Sequence, residues 1–551
     1  MSSAVGTNNV MSGIRRQLMW NRLISVVEEL AQTLIRTAFS TSTREAGDLA
    51  AGVFSPDGRM MAQAITGTPG HINSMAMAVG HFIKEYPVNT MQPGDVFITN
   101  DPWLASGHLN DFTVVSPAHL DGRVVAMFAA TVHVVDIGGL GVGTEARDVH
   151  QEGLYVPIMP LARAGRIDET LLRMIRANVR EPMQVEGDLH SLIVSNQGGI
   201  DRLLEMMHEF GQTDLGELAD YIFTTSRQAM LKAIRELPRG RYENRMTIDG
   251  FDNPVDIVVA ATIEDDRILI DFDGTSSLSQ AGINVPKCYT DAYTSFGVRC
   301  VVGPRIPNNA GSLELVQVVA PEGCILNAPY PAPVAARHMI GQMLPDAVLG
   351  CLFQAAPERV PAEGASCLWN IRVAGGPETA GLAPELRRNS RRFAITTFNA
   401  GGAGARPISD GLSATSFPAG VRNVPLEIVE TMTPLVFWRK ELRENSGGSG
   451  KWRGGDGQII ELAHAAGEPF MLNATFERVD NPARGRAGGA PGAAGVVRLA
   501  SGPKLKAKGR QMVPAGDRLI VEMPGGGGYG QVAERTPEMR QRDKAEGRLG
   551  T

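Results

Sequence analysis

Ile14, Leu18, Leu23, Val26, Val27, Leu30, Leu34 and Ile35 recur at intervals close to three and four, which predicts a long amphipathic helix over residues 13–39. The pattern then changes period. Residues 48–63 read as strand, turn and strand, with Pro56-Asp57-Gly58 supplying the turn chemistry. Helical spacing returns over 71–86, and 95–100 is a short strand that delivers Asn100-Asp101-Pro102 to whatever follows. Phe112 to Leu120 and Val124 to Val132 are rich in β-branched and aromatic residues, and Asp121-Gly122 between them is a strong hairpin signal.

Beyond the hairpin, Ile137-Gly138-Gly139-Leu140-Gly141 is too glycine-rich for regular structure and predicts an irregular loop. Residues 168–236 are expected to be helical in three pieces, broken near Pro182 and near Thr213-Asp214. From about Arg241 the texture shifts to strands at 255–263 and 267–272 around Glu264-Asp265-Asp266, then helices near 290–302 and 340–355. Strands are predicted near 393–398, 458–464, 470–477, 496–500 and 518–523, and no internal repeat is present. The fold class expected is α+β: a mixed, multi-lobed protein with antiparallel hairpins, the helical segment 168–236 and a β-rich, glycine-rich final third. A lobe of about 10–240, a second of about 241–530 and a polar tail from 531 to 551, helical or frayed, are the expected divisions.

Composition narrows the function classes. The 551 residues are 43% hydrophobic and 20% charged, a globular profile, and a net charge of −6 leaves no footprint for nucleic acid or an acidic membrane. Cys288, Cys300, Cys324, Cys351 and Cys367 are odd in number, dispersed and never spaced C-x-x-C, which argues against a disulfide framework or a thiolate zinc site. With no signal-peptide pattern at Met1-Ser2-Ser3-Ala4 and no apolar run approaching the ~20 residues of a bilayer span, a cytoplasmic protein is expected.

Two His-x-x-Asp pairs flank the hairpin, His108-Leu109-Asn110-Asp111 and His133-Val134-Val135-Asp136. If the loop is Asp121-Gly122-Arg123, residues whose numbers sum to 244 oppose each other, so Asp111 faces His133 and His108 faces Asp136. Directly opposed Cβ atoms stand about 4.5–5.5 Å apart. A two-residue loop would shift the register by one and separate the faces, and Pro117 inside the first strand implies an edge or a bulge. Each residue taken alone reads as an ordinary polar strand end. The mirrored quartet reads as a divalent-metal site, and two imidazoles with two carboxylates suit Zn²⁺, Mn²⁺ or Fe²⁺ better than Ca²⁺. Asn100, Asp101 and Glu152 are the nearest candidates to orient such ligands, with loop capping as the alternative role.

The glycine clusters add no nucleotide site. Glu444-Asn445-Ser446-Gly447-Gly448-Ser449-Gly450-Lys451-Trp452 resembles a phosphate loop but has Asn445 and Trp452 where that pattern requires Gly and Ser or Thr. Asn399-Ala400-Gly401-Gly402-Ala403-Gly404 and Pro524-Gly525-Gly526-Gly527-Gly528-Tyr529-Gly530 can present N–H groups to an anion or, more commonly, form tight packing turns.

Several segments together resemble the B-subunit family of ATP-dependent hydantoinases and 5-oxoprolinases, which includes a subunit of acetone and acetophenone carboxylases. They run from Asp48-Leu-Ala-Ala-Gly-Val-Phe-Ser-Pro-Asp-Gly-Arg-Met-Met-Ala-Gln63 through Gly94-Asp-Val-Phe-Ile-Thr-Asn-Asp-Pro102, His108-Leu-Asn-Asp-Phe-Thr-Val-Val115 and His133-Val-Val-Asp-Ile-Gly-Gly139. Asn178-Val-Arg180 with Gly187-Asp188, Ala320-Pro-Glu-Gly-Cys-Ile-Leu-Asn327, Pro333-Val-Ala-Ala-Arg337 and Pro524-Gly-Gly-Gly-Gly-Tyr-Gly530 complete the set, over roughly residues 10–530. The family often has a second His where this chain has Val134.

The resemblance implies a hetero-oligomer. Its partner would be an A-type, actin-like ATPase subunit that binds ATP and Mg²⁺, while His108, Asp111, His133 and Asp136 inherit the ligand role for the catalytic metal. The implied chemistry is opening of a cyclic amide or ureide after ATP-dependent phosphorylation of the carbonyl oxygen. A Zn²⁺-like ion that lowers the pKa of bound water toward ~7 would supply hydroxide. Carboxylation of a ketone through phosphorylated bicarbonate and a phosphorylated enol is the rival enzyme reading. A non-catalytic scaffold with a closed structural metal is the third.

Overall fold

The computed structural model describes residues 2–376 and 392–549, with side chains from residue 12 onward. Its N-terminal part is built on a sheet of β1 (Leu49–Phe54), β2 (Met60–Gln63), β3 (Val96–Thr99), β4 (Asp111–Leu120), β5 (Arg123–His133), β6 (Met159–Arg163) and β7 (Arg166–Ile167), ordered β2-β1-β5-β4-β3-β6-β7. Both faces are covered. Phe112, Val114, Phe128, Ala130 and Val132 pack in one core with residues of the helices Ser2–Thr37 and Pro182–Glu209, while Val115, Met127 and Ala129 pack with the helix Pro69–Glu85. Two-sided burial explains why β4 and β5 read as almost continuous apolar runs rather than as alternating ones.

The hairpin combines both sequence alternatives. Its turn has two residues, Asp121 and Gly122, with φ of 50° and 76°, the positive pair a type I′ turn requires. A bulge between Ala118 and His119 then restores the register in which Asp111 opposes His133 and Val115 opposes Ala129. Pro117 lies just before that bulge and past Val115, the last β4 residue paired with β3, so its missing N–H costs no ladder bond to that neighbour.

A second sheet, β8 (Gly240–Ile248), β9 (Val255–Ile263), β10 (Ile268–Asp271) and β11 (Val316–Val319), shares a core with the helices Lys287–Val301 and Leu344–Ala355. The last third holds two four-stranded sheets. One is β13 (Phe393–Thr397), β12 (Ile371–Gly375), β16 (Phe470–Thr475) and β18 (Lys508–Val513) in that order. The other is β14 (Leu435–Leu442), β15 (Gln458–His464), β19 (Leu519–Glu522) and β17 (Val496–Leu499). Val373, Ile395, Phe470, Leu472 and Val513 of the first meet Ile460, Leu462, Val497, Leu519 and Val521 of the second in one core.

The fold class is the mixed one expected, and the three helices over 168–236 fall at Glu169–Asn178, Pro182–Glu209 and Gly216–Arg235. The first helix differs: it spans Ser2–Thr37 rather than 13–39. Strands β6, β7, β8, β11, β12, β14 and β18 are additions to the sequence reading. β12 (IRVAG) and β18 (KGRQMV) alternate weakly because their outer face, with Arg372 and Arg510, lines a cavity instead of a core. The glycine clusters are packing elements. Gly402 N–H donates to Pro524 O at 3.0 Å, Gly448 N–H to Gly526 O at 2.8 Å and Gly526 N–H to Gly455 O at 3.0 Å, so these donors are spent on backbone. A Cβ at Gly402 would stand 1.8 Å from Gly455 O, which is why side chains are excluded there. In the tail the helix Pro537–Ala545 docks through Arg535, which pairs with Asp543 at 2.7 Å and Asp410 at 2.9 Å. All five cysteines are free thiols, and among the described residues no helix is long and apolar enough to cross a membrane.

Candidate metal centre

Asp111 opens β4 and His133 closes β5, so strand pairing alone sets them side by side. Alternation puts Asp111 and Thr113 on the face covered by the helix Pro69–Glu85, and the first turn of that helix carries His71. His108, in the loop before β4, completes the group. Asp111 Oδ1 lies 2.8 Å from His108 Nε2 and 2.9 Å from His133 Nδ1. Asp111 Oδ2 accepts from His71 Nε2 at 2.9 Å, Ser106 Oγ at 2.9 Å and Arg337 Nη2 at 2.6 Å. One carboxylate oxygen is thereby saturated by donors, and the other is shared by two imidazoles.

Burial disfavours charge on Asp111, but His108, His71 and Arg337 outweigh it and hold its pKa well below the usual carboxylate range. Burial, reinforced by Arg337, pushes His108 down to about 4, so its ring is neutral near pH 7. His71 goes the other way: burial opposes its charge, but Asp111 and Asp48 prevail and raise it. Arg337 is held by Ser106 O at 2.7 Å and lies 3.9 Å from the centroid of the Tyr289 ring. Gly107, at φ 89°, makes room for it, since a Cβ there would be 2.6 Å from Arg337 Cδ and Nε.

The donor set fits a divalent cation. His108 Nδ1 lies 3.1 Å from Ala335 O, and a carbonyl can only accept, so the single ring proton of the neutral imidazole belongs on Nδ1. Nε2 is then a bare lone pair, and it stands 2.8 Å from an ionised carboxylate oxygen without an aligned hydrogen bond between them. Two buried lone pairs that close repel unless a cation lies between them. His108, Asp111 and His133 each offer one ligand atom, all within 4.8 Å of one another. Two imidazoles and one carboxylate leave coordination positions open, the pattern of catalytic rather than closed structural sites.

Of the quartet expected from sequence, the structure brings three together. Asp136 stands apart: its carboxylate accepts from the backbone N–H of Arg180 and pairs with the Arg180 guanidinium at 2.7 Å. Burial opposes its charge, yet the hydrogen bonds from Arg180 lower its pKa. The mirrored register ends with the strands, because β5 stops at His133 and the chain turns into the loop 134–142. Asn100 is spent on backbone, donating to Leu109 O at 2.8 Å and Leu154 O at 2.9 Å while accepting from Val156 N. Asp101 caps its own loop through Trp103 N at 2.8 Å and accepts from the Tyr155 hydroxyl. Glu152 lies one residue removed from the centre. It accepts from Val334 N and from Ala335 N at 2.8 Å, and Ala335 carries the carbonyl that meets His108. Burial pushes its carboxyl up to about 8, with the two N–H groups opposing that rise.

Sequence reasoning does not single out His71, Arg337, Asp48, Ser106 or His338. Asp48 opens and Arg337 closes a segment that carries the family resemblance, which is the available signal. His133, His108, His71, His338, Arg180, Arg337 and the outer face of β12 and β16 line one cavity of about 180 Å³. His338, which burial and then Arg337 push down to about 3, is a neutral imidazole on its wall.

Over an alignment of 565 positions the chain is 29% identical to 5-oxoprolinase 1 of Arabidopsis thaliana, covering 96% of this chain but 42% of that one. It is 26% identical to a putative B-type subunit of a D-/L-hydantoinase from a Pseudomonas species, covering 96% of this chain and 92% of the relative. Two solved structures share the fold at a TM-score of 0.85. A nucleotide-free acetone carboxylase is 18% identical, with 98% of this chain and 78% of that chain covered. An ATP-dependent caprolactamase from Pseudomonas jessenii is 24% identical, with 98% and 94% covered. The Hydantoinase B/oxoprolinase family profile matches residues 12–532, and the chain belongs to that family.

Proposed function

We propose that this chain is the metal-binding subunit of an ATP-dependent hydrolase that opens a cyclic amide or ureide, working with an ATPase subunit that phosphorylates the substrate. The observation that carries the reading is the buried facing of His108 Nε2 and Asp111 Oδ1 beside His133, on the wall of a cavity. A divalent cation (Zn²⁺, Mn²⁺ or Fe²⁺) held by His108, Asp111 and His133 would supply Lewis acidity and lower the pKa of water there. The chain's own residues do the rest. His71, Ser106 and Arg337 fix Asp111 in its ionised form, and Ala335 fixes the His108 tautomer. Water adds to the activated carbonyl carbon, the C–N bond breaks, and its electron pair takes a proton as the ring opens. The phosphoryl group leaves as inorganic phosphate after a further hydrolysis of the acyl phosphate.

Three protein ligands with open positions favour this over a scaffold with a closed metal site. The names of the relatives, 5-oxoprolinase and D-/L-hydantoinase, favour amide-ring hydrolysis over ketone carboxylation. A cytoplasmic setting suits both the ATP requirement and the five free thiols. The test is to purify the chain with its ATPase partner and follow ADP release against hydantoins, lactams and ketones, with and without bicarbonate. Release driven by a lactam or hydantoin without bicarbonate is expected. Release only with a ketone plus bicarbonate replaces the reading by carboxylation.

A further inference from the structure

The wall of the cavity facing the β12 sheet carries a polar row at one register level. Arg372 on β12 opposes Thr396 on β13 and Asn473 on β16, and Asn473 in turn opposes Arg510 on β18. All four line the cavity that holds the metal centre. Their neighbours along each strand, Val373, Ile395 and Leu472, face the opposite core, so alternation fixes the row on the cavity side.

The glycine loop after β5 lies against this row. Arg372 Nη1 and Asn473 Nδ2 donate to Val142 O, the latter at 3.0 Å, and Arg510 Nη2 donates to Leu140 O at 3.1 Å. Arg180 reaches the same loop, donating to Gly138 O at 2.9 Å. Gly141, at φ 63°, admits the guanidinium of Arg372, whose Nη2 would be 3.0 Å from a Cβ there.

Charge around the row does not balance. Arg180 has Asp136 at 2.7 Å, and Arg510 has Glu145 at 3.8 Å. Arg372 has no carboxylate within ion-pairing distance among the described residues, although it is half-buried between two other guanidinium groups. Burial, with Arg180 and Arg510, pushes its pKa down to about 10 against the weaker pull of Asp136 and Glu145, neither of which reaches it as an ion pair. Beside it, Asn473 Oδ1 is buried with no hydrogen-bond partner, an acceptor available to an N–H. A desolvated cation next to an idle acceptor is costly unless a ligand completes both.

We propose that Arg372, flanked by Arg510 and Asn473, is the subsite that holds an oxyanion on the substrate. The amide or ureide opened here therefore carries an anionic group, either its own carboxylate or the phosphoryl group added by the partner. Asn473 Oδ1 accepts the ring N–H. Arg372 is a specificity-determining residue, and the metal centre stands elsewhere on the same cavity wall. This rests on the amide-opening reading.

The test is calorimetric titration of the metal-loaded full chain with three probes: a five-membered lactam bearing a ring carboxylate, the same lactam without it, and inorganic phosphate. The variants are Arg372→Gln, Arg372→Lys and Arg510→Gln, with metal content and melting temperature recorded for each. At least one anionic probe should bind the parent chain, and Arg372→Gln should weaken it by about 10–150-fold, the value of a hydrogen bond to a charged group. Arg372→Lys should recover part of the loss, and the neutral lactam should be indifferent to all three changes. Binding confined to the lactam carboxylate identifies the anion as the substrate's own, and binding confined to phosphate identifies the phosphoryl group. Equal anion affinity in the parent and Arg372→Gln overturns the subsite, as does a parent chain that binds neither anion. Should Arg372→Gln fail to fold, Arg372→Lys and Arg510→Gln decide the matter on the same readout. These titrations use no ATP, so failure of the hydrolase reading appears only in ADP release and leaves them standing.

Discussion

Replacing Glu152 with Gln should make the protein more stable as the pH rises, relative to the parent chain. Glu152 is buried, its Oε1 accepts from Val334 N and Ala335 N, and its Oε2 has no partner. Gln preserves the accepting oxygen and the shape but cannot ionise. In the parent the carboxyl is raised from 4.5 to about 8, chiefly by burial and further by Asp148. The unfolded chain ionises Glu152 near pH 4.5, whereas the folded chain keeps it protonated until about pH 8. The unfolded state therefore binds fewer protons across that window, and stability falls as pH rises through it. A pKa difference of about 3.5 corresponds to a penalty of about 5 kcal/mol by pH 8, vanishing below pH 4.5. Every other titrating group is common to both proteins, so the difference between the two curves isolates Glu152. Thermal melts of parent and Glu152→Gln, made metal-free with a chelator at half-unit steps from pH 5 to pH 9, measure the difference. The two melting curves should diverge by several degrees and become parallel above pH 8. Parallel curves throughout, or a parent that gains on the variant as pH rises, would refute the assignment of a protonated Glu152.

Two further outcomes follow from the same geometry. His133→Ala should lower bound divalent metal by at least about tenfold, whereas Asp136→Asn should retain it, because Asp136 is engaged by Arg180 outside the triad; elemental analysis of folded protein checks both. Gly107→Ala should cost about 2–4 kcal/mol from a left-handed φ and the clash with Arg337, read as a lower melting temperature together with weakened metal retention.

Much of the fold was legible because its elements obey local rules. The three helices over 168–236 break near Pro182 and Thr213-Asp214, where the backbone chemistry demands it. Two of the strands absent from the sequence reading, β12 and β18, share a physical reason. β12 and β18 each place one face on the cavity, so Arg372 and Arg510 occupy positions where a core strand would show Val or Ile. Local periodicity reports what a face packs against, and a face that packs against a binding site loses the signal.

The candidate centre divides along the same line. Its within-hairpin part, Asp111 opposite His133, depends only on register, and register is local information once the turn and the bulge near Pro117 are recognised. Asp136 failed to join because the mirror relation holds only while both chains stay in the ladder. His133 is the last residue of β5, and beyond it Val134 and Ile137 turn into the core while Asp136 meets Arg180. Contacts from far along the chain complete the group instead: His71 on a helix start and Arg337 in a loop more than two hundred residues away. Nothing in local spacing announces them. What unites them is electrostatic need, since an ionised carboxylate at zero exposure requires several donors, while the hairpin sets only His133 beside it and the Nε2 of His108 donates nothing. A buried Asp predicted from a hairpin therefore carries its own corollary: further donors must reach it from outside the hairpin, and here they are the cationic or N–H partners His71 and Arg337 from distant segments and the hydroxyl of Ser106 from the preceding loop.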